Sequence, residues 1–258
     1  MKVGIRGMGL IGGSFEKAFK ASGAEVVNLK GASPAVIAEC GLVAVCLPPH
    51  LVAGWVRRHA EEFAGGTVII DASGIKGEIF TALESLSATS EWHFVGAHPM
   101  AGKEVSGYEN SDAGLFRGAS MILTPYSFTP KDVIESLKKM LAPLGFARFV
   151  ETDPRRHDEM IAYTSQLAHV VSSAYVRDRL SAEHLGFSAG SFQDMTRVAT
   201  VDPDLWTELF LANAEALEEV LSRLIARLFE YRDAINSADA VLLKRLLLEG
   251  RRAKERSR

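Results

Sequence analysis

Three glycines near the start of the chain, Gly7, Gly9 and Gly12, constrain its fold more than any other feature. They follow a short apolar segment, residues 2–5, and precede a helical segment at about residues 13–22. In such a strand–turn–helix unit the glycines allow a tight turn, close approach of a pyrophosphate and close packing of helix on strand. Free N–H groups at the helix N-terminus then face the anion. The pattern predicts an α/β Rossmann-type domain that binds a dinucleotide.

Further apolar segments continue this alternation of strand and helix. Strands are predicted at five more places, residues 25–29, 42–47, 67–70, 93–97 and 147–150, with a helix at 51–63. The segment from Lys30 to Gly41 is short, so the second helix is predicted to be a stub. Because ligands bind beyond the carboxyl ends of parallel strands, the residues there should rim one crevice.

The predicted cofactor contacts are the glycine-rich loop, nearby strand ends and one lysine: Gly7, Met8, Gly9, Leu10, Ile11, Gly12, Lys30, Leu47, Pro48 and Ser73. NAD-binding domains often place a carboxylate after the second strand, where this chain has Asn28, Leu29 and Lys30. The missing carboxylate and the nearby ammonium favour NADP over NAD. The alternative is that Lys30 points into solvent.

Charge and cysteine content exclude several classes of function. The formal net charge of −3 provides no basic field for nucleic acid. Cys40 and Cys46 belong to no Cys-x-x-Cys pair or His/Cys cluster, so neither a disulfide framework nor a structural metal is predicted. There is no signal peptide pattern and no apolar run long enough to span a bilayer. We expect a soluble cytoplasmic protein with a small-molecule substrate.

His98 is the strongest candidate for a catalytic side chain. It follows the predicted strand at residues 93–97, at the same edge of the sheet as Ser73. Pro99 fixes one backbone torsion, and Gly102 permits a close loop, so both restrict where His98 can point. We expect its ring to face the cofactor; the alternative is a hydrogen-bonded histidine with a structural role.

Five motifs together resemble the prephenate dehydrogenase family over nearly the whole chain. They are GMGLIGGS, D-x-S-x-x-K from Asp71 to Lys76, HPMAGKEVSGY, TSQLAH and DMTRVA. Members of that family oxidise prephenate or arogenate with NAD or NADP, releasing carbon dioxide and giving 4-hydroxyphenylpyruvate or tyrosine. The resemblance implies the same reaction class, in tyrosine biosynthesis.

The resemblance also implies roles for individual residues. It places the catalytic histidine at His98, a gating or ion-pairing glutamate at Glu104, a second active-site histidine at His169 and a substrate-binding arginine at Arg197. Gln166 stands where some relatives carry another histidine, and we expect it to influence substrate choice.

One motif departs from the family pattern. The family usually has Asp-x-Gly-Ser-Val-Lys, whereas this chain has its serine one place earlier, at Ser73, followed by Gly74. The family serine contacts both the substrate hydroxyl and the catalytic histidine. Ser73 can take this role only if the turn is rebuilt.

The chemistry restricts the roles of His98 and Arg197. A neutral imidazole, with an ordinary pKa of about 6.5, can accept the substrate hydroxyl proton as hydride departs. Loss of carbon dioxide aromatises the ring, so no metal is predicted. An arginine on the leaving carboxylate would stabilise the ground state more than the transition state, so Arg197 should bind the side-chain carboxylate. The alternative is a surface ion pair with Asp194 or Asp202.

The chain is predicted to divide into a dinucleotide-binding domain, residues 1–151, and an all-α substrate and dimerisation domain, residues 152–258. A helix is predicted at 155–180, where His169 shares a small polar stripe with Ala162, Ser165, Gln166, Ser172 and Ser173. The apolar stripe of the same helix includes Met160 and Tyr163. The polar stripe suits either a helix that lines a polar cleft or one that packs closely on another helix. A long apolar helix from Asp202 predicts a homodimer.

Two other functions stay open from the sequence. One is a β-hydroxyacid or imine-reducing dehydrogenase, a class that also joins a Rossmann domain to a helical dimerisation domain. Many of those hydroxyacid enzymes use a lysine in the first helix after the linker, and residues 155–180 contain none. The other is a dinucleotide-binding module without catalytic activity, which the shifted Ser73 leaves possible.

Overall fold

The computed structural model describes residues 1–103 and 105–256. Its contacts divide the chain into two compact units, Met1–Asn213 and Ala214–Arg258. The boundary predicted between residues 151 and 152 lies inside the first unit and stays a prediction.

The first unit contains a seven-stranded sheet flanked by helices. Its strands are β1 (Lys2–Arg6), β2 (Glu25–Asn28), β3 (Leu42–Val45), β4 (Val68–Asp71), β5 (His93–Pro99), β6 (Ser120–Pro125) and β7 (Arg148–Glu151). The helices between them are α1 (Leu10–Ala21), α2 (Pro34–Ala38), α3 (Pro49–Arg58), α4 (Gly77–Thr89) and α5 (Lys131–Leu141). The predicted α/β Rossmann-type class is confirmed, and α2 is a stub of 5 residues.

The strand order is β2-β1-β3-β4-β5-β6-β7. All neighbouring strands are parallel except β5 and β6. The chain leaves β1 to form β2 on one side and returns to form β3 on the other. The carboxyl ends of β1 and β3 therefore meet at a topological switch point, where α/β folds bind their ligands.

Both faces of the sheet are covered by apolar side chains. On one face Phe15 and Phe19 of α1 pack with Phe116 against alternate strand residues. On the other face Trp55 of α3 and Leu83 of α4 pack over the remaining strand residues. Complete burial of such a side chain contributes about 1.5–3 kcal/mol to folding. This core holds the strand ends, and therefore the site, in a fixed arrangement.

The sequence does not predict β6, and this strand changes the setting of His98. In the antiparallel register His98 lies opposite Ile122 and Pro99 lies opposite Met121. The strand predicted to end at residue 97 therefore continues to Pro99. His98 is held within the paired backbone of the sheet instead of following its end.

The helix predicted at 155–180 is interrupted. It consists of α6 (Pro154–Ile161), one π-helical turn (Ala162–Gln166) and α7 (Leu167–Val176). A π turn inserts a residue and rotates everything that follows it, and such turns are frequent at functional sites. Gln166 and Ser172 of the polar stripe are buried, whereas Met160 is 39% and Tyr163 61% exposed.

The long helix predicted from Asp202 is also two helices. After α8 (Gly190–Thr196), α9 (Pro203–Leu211) begins at Asp202, whose carboxylate accepts hydrogen bonds from the N–H groups of Asp204 and Leu205. α9 ends before Asn213, whose buried amide donates to the Asp158 carbonyl and to the Gln166 side chain.

The second unit contains α10 (Ala214–Asn236) and α11 (Ala240–Arg256). The turn between them places Ala238 in the left-handed region, at φ 53°. The Asp239 carboxylate accepts hydrogen bonds from the N–H groups of Val241 and Leu242 at the start of α11. Within the described residues, no helix has both the length and the apolar character that a membrane crossing requires.

Candidate active site

The glycine-rich loop after β1 depends on the absence of side chains at two positions. Gly7 has φ 101°, and a Cβ there would lie 2.2 Å from the Cys46 carbonyl oxygen. A Cβ on Gly12 would lie 1.8 Å from the Gly7 carbonyl oxygen. A Cβ on Gly9, by contrast, would meet no atom within 4 Å. The first and third glycines are therefore required by packing, and the second borders open space.

The N-terminus of α1 opens onto that space. Gly9 is the N-cap residue, no side chain caps the helix, and its first turn contains no acidic residue. The unpaired backbone N–H groups and the positive end of the helix dipole favour an anion there. These features fit the pyrophosphate of the predicted dinucleotide.

A cavity of about 600 Å³ lies beside this loop. One wall consists of the loop and the carboxyl ends of β3 and β4, and includes the predicted residues Gly9, Leu10, Ile11, Gly12, Leu47, Pro48 and Ser73. The opposite wall comes from the helical part and includes His169, Val198, Leu205, Trp206 and Leu209. Gly7, Met8 and Lys30 are not among the described lining residues, and Lys30 is exposed just beyond β2.

Asp71 connects the cavity rim to the strand that carries His98. Its buried carboxylate accepts hydrogen bonds from the N–H of Ala97 at 2.9 Å and of Ser73 at 3.0 Å. It also forms an ion pair with Lys76 at 2.5 Å, and the Lys76 side chain is only 1% exposed. Burial lowers the pKa of Lys76, and the charge of Asp71 opposes this shift. One carboxylate therefore fixes the turn after β4 against β5, directly before His98.

The Ser73 hydroxyl is buried at the cavity wall. Among the described residues, none forms a hydrogen bond with its Oγ. A Cβ on Gly74, the position of the family serine, would lie 3.6 Å from a Leu209 methyl carbon. A buried hydroxyl without a hydrogen bond costs about 1–3 kcal/mol. The Ser73 hydroxyl is therefore suited to bond a ligand in the cavity.

His98 is half-buried, with Nδ1 2.9 Å from Nε2 of His157. Burial, then the positive charge of Lys76, then His157 hold the pKa of His98 well below its usual value. His98 is therefore neutral near pH 7. The expectation that it faces the cavity needs correction, since it is not among the described lining residues. Pairing with β6 and the contact with His157 hold it just behind the rim, partly exposed.

His157 and Asp158 of α6 are functional candidates that sequence reasoning missed. His157 is 1% exposed, and its Nδ1 lies 2.6 Å from Oδ1 of Asp158. The Asp158 carboxylate also accepts hydrogen bonds from the N–H groups of Lys76 at 2.9 Å and Gly77 at 2.8 Å, at the start of α4. The available signal was two adjacent polar residues one turn before Ile161, on the buried face of an amphipathic helix.

His169 lines the cavity, as predicted for the second active-site histidine. Its Nδ1 lies 2.8 Å from the Val198 carbonyl oxygen, and its ring contacts that of Trp206 at a tilt of 40°, with centroids 3.7 Å apart. Because a carbonyl oxygen only accepts, Nδ1 must carry the hydrogen. The backbone at residue 198 thus fixes the orientation of this ring.

Gln166 and Arg197, two other predicted site residues, are not among the described lining residues. Gln166 is buried outside the described lining: its amide nitrogen donates to the Leu209 carbonyl at 2.8 Å and its oxygen accepts from Asn213 at 2.7 Å. These bonds tie the π turn to the end of α9, and the predicted influence of Gln166 on substrate choice stays a prediction. Arg197 is exposed beside the lining residue Val198 and is not itself among the described lining. Glu104 lies outside the described residues.

Comparison with known proteins identifies the family of this chain. A family model for the nucleotide-binding domain of prephenate dehydrogenase matches residues 8–151, and one for its dimerization domain matches residues 153–249. The chain belongs to the prephenate dehydrogenase family. It is accordingly an NAD(P)-dependent dehydrogenase, and both alternative functions are set aside.

Relatives of this dehydrogenase family cover nearly the whole chain. A cyclohexadienyl dehydrogenase from Zymomonas mobilis is 30% identical over 98% of this chain and 94% of its own length. A prephenate dehydrogenase from Bacillus subtilis is 29% identical over 92% of this chain and 70% of its own length. The solved structure of prephenate dehydrogenase from A. aeolicus, in complex with hydroxyphenyl propionate and NAD+, is 25% identical, covers 99% of this chain and 98% of its own, and has a TM-score of 0.83.

Proposed function

We propose that this enzyme oxidises and decarboxylates prephenate or arogenate, giving 4-hydroxyphenylpyruvate or tyrosine, and that His98 is its base. The observation that carries the proposal is the link through Asp71, whose carboxylate accepts from the N–H of Ser73 at the cavity wall and of Ala97, the neighbour of the neutral His98 on β5. A base with a low pKa is ready to accept a proton near neutral pH.

The reaction requires two bond cleavages on one ring. Bound NAD(P)+ supplies the acceptor for the hydride that leaves the carbon bearing the hydroxyl. His98 accepts the hydroxyl proton as that carbon–hydrogen bond breaks. The bond to the ring carboxylate breaks at the opposite position, and its electron pair completes the aromatic ring. The side chains therefore need only orient the ring and accept one proton.

We assign substrate contacts to three further side chains. The unpartnered Ser73 hydroxyl is suited to bond the substrate hydroxyl, and His169 contributes a polar group to the opposite wall. Arg197 binds the side-chain carboxylate, because pairing the leaving carboxylate would oppose its loss. Its guanidinium can bind a carboxylate through two hydrogen bonds and thereby orient the ring.

We infer a preference for NADP over NAD. The end of β2 offers no carboxylate for the ribose 2′-hydroxyl, and the exposed Lys30 lies two residues after β2. A lysine there can pair with a 2′-phosphate. Replacing Lys30 with alanine should lower kcat/KM for NADP and leave that for NAD nearly unchanged.

We also infer a homodimer formed through residues 152–258, in the cytoplasm. Several apolar side chains of this region are highly exposed in the single chain, among them Leu185 at 81%, Phe187 at 94% and Val241 at 82%. Large exposed apolar patches usually mark interfaces. Cys40 and Cys46 are both free thiols, which suits a reducing compartment.

A steady-state assay that crosses prephenate and arogenate with NAD and NADP tests the function. We expect at least one substrate to yield one carbon dioxide per cofactor reduced, with the higher kcat/KM for NADP. Failure of both substrates with both cofactors, in a sample that still binds a dinucleotide, would overturn the proposal.

A further inference from the structure

We propose that His157, anchored by Asp158, is a positioning residue that fixes the tautomer of His98 and takes up its second proton during catalysis. This inference rests on the proposed function, since it concerns how His98 acts as a base. The three side chains form a continuous chain, with 2.9 Å between the two imidazoles and 2.6 Å between His157 and Asp158.

The direction of hydrogen bonding follows from Asp158. Its carboxylate receives two backbone N–H groups, from Lys76 and Gly77, and is therefore an acceptor. Nδ1 of His157 must then donate to it, which leaves Nε2 of a neutral His157 as an acceptor. Nδ1 of His98 carries the hydrogen that this acceptor receives. His98 is thus held with Nε2 unprotonated, as a base requires.

The hydrogen bonds from His98 through His157 to Asp158 also compensate for the weak basicity of His98. The low pKa of His98, caused first by burial and then by Lys76, makes the ring a weak base. The charged groups around it are Lys76 at the start of α4, Asp71 at the end of β4 and Asp158 on α6, and Asp71 is already paired with Lys76. A proton passed from His98 to His157 lies beside the Asp158 carboxylate, whose Oδ1 is 2.6 Å from Nδ1 of His157.

The proton steps balance as follows. The substrate O–H bond breaks and its proton binds Nε2 of His98, while the Nδ1–H bond of His98 breaks and that proton binds Nε2 of His157. His98 ends neutral, and His157 ends as an imidazolium beside the Asp158 carboxylate. The oxidant is the nicotinamide cofactor named above, and carbon dioxide is the leaving group. When carbon dioxide leaves, the aromatised product carries a phenolate oxygen. The Nε2–H bond of His98 breaks and that proton returns to this oxygen, while the proton on Nε2 of His157 returns to Nδ1 of His98, so the starting state is restored with no net proton released.

The first test is the tautomer of His98 in the unaltered enzyme. Long-range ¹H–¹⁵N NMR of protein labelled with ¹⁵N-histidine distinguishes a protonated Nδ1 from a protonated Nε2, and His98→Asn assigns the signal. We expect the hydrogen on Nδ1 of His98 at pH 7.5, without substrate or cofactor. A hydrogen on Nε2 would overturn the proposal. This readout does not depend on turnover.

The second test compares variants of His157. His157→Gln keeps a side-chain acceptor for His98 but cannot take up a proton, and His157→Leu removes both properties. We expect kcat to fall at least about tenfold in the first and further in the second, with KM and cofactor Kd within about twofold. The matched control is His59→Gln, which removes another histidine that pairs with a carboxylate, Glu62, away from the site.

The outcomes separate this inference from the proposed function. If His98→Asn lowers kcat but His157→Gln leaves both kcat and its pH profile unchanged, the relay is wrong and the base stands. If His98→Asn itself turns over normally, the proposed role of His98 fails first. Should His157→Leu not fold, His157→Gln and the NMR of the unaltered protein still decide.

Discussion

The glycine-rich loop and the helical wall opposite it line the same cavity but are held in place by different interactions. The loop is shaped by its own backbone, since Gly7 and Gly12 leave no room for a side chain. The helical wall is held by side chains far apart in sequence, such as Gln166 bonded to Asn213. A local pattern therefore specifies the first wall, and only the folded chain specifies the second.

Within the loop, alanine at Gly12 should lower stability, whereas alanine at Gly9 should weaken cofactor binding and leave stability unchanged. Gly12→Ala places a Cβ against the Gly7 carbonyl and should lower the free energy of unfolding by about 3 kcal/mol. Gly9→Ala meets no atom, so it should keep stability and raise cofactor Kd by about tenfold. Thermal unfolding and cofactor titration measure these effects, and Gly41→Ala, also in open space, is the control. Equal effects on stability would break the distinction.

His98, the proposed base, lies on β5 of the sheet and contacts His157 of the helical part. His98→Asn should lower kcat at least about a hundredfold, the usual scale for a positioned acid–base group, or about 2.7 kcal/mol. Cofactor Kd should change little, because the dinucleotide binds the loop. Turnover near that of the unaltered enzyme would remove His98 from the mechanism.

The smallest expected effect is on the pH dependence of stability. Folding lowers the pKa of His98, so below about pH 6.5 the unfolded chain binds a proton that the folded protein does not. The free energy of unfolding should therefore decrease as the pH is lowered below about 6.5, by up to about 1.4 kcal/mol per pH unit from this group.

Urea unfolding between pH 7.5 and 5 measures that slope. The slope should be shallower in His98→Asn and unchanged in His59→Gln. Identical slopes in His98→Asn and the unaltered protein would show that His98 is not held neutral by the fold.

The same contrast explains what could be predicted from the sequence. Gly9, Gly12, Leu47 and Pro48 were placed at the cavity because a strand, a glycine pattern and a helix follow each other directly, and parallel strands end at one edge. The position of His98 was only partly predicted, because β6, which pairs with it, comes from a distant segment.

The helical wall was predicted less well for a physical reason. A π turn at Ala162–Gln166 rotates the helix and cannot be read from an apolar stripe. The bonds of Gln166 to α9 and Asn213 join segments more than 40 residues apart in the sequence, so the sequence pattern does not predict them. His157 and Asp158 acquire their role only when α6 packs against the start of α4.

A crystal structure of the enzyme with oxidised cofactor and a hydroxyphenyl ligand tests the central claim most directly. The account predicts the ligand hydroxyl within about 3 Å of Nε2 of His98, a hydrogen-bond distance, with Nδ1 still bonded to His157. A ring of His98 directed away from both the hydroxyl and the nicotinamide would contradict it.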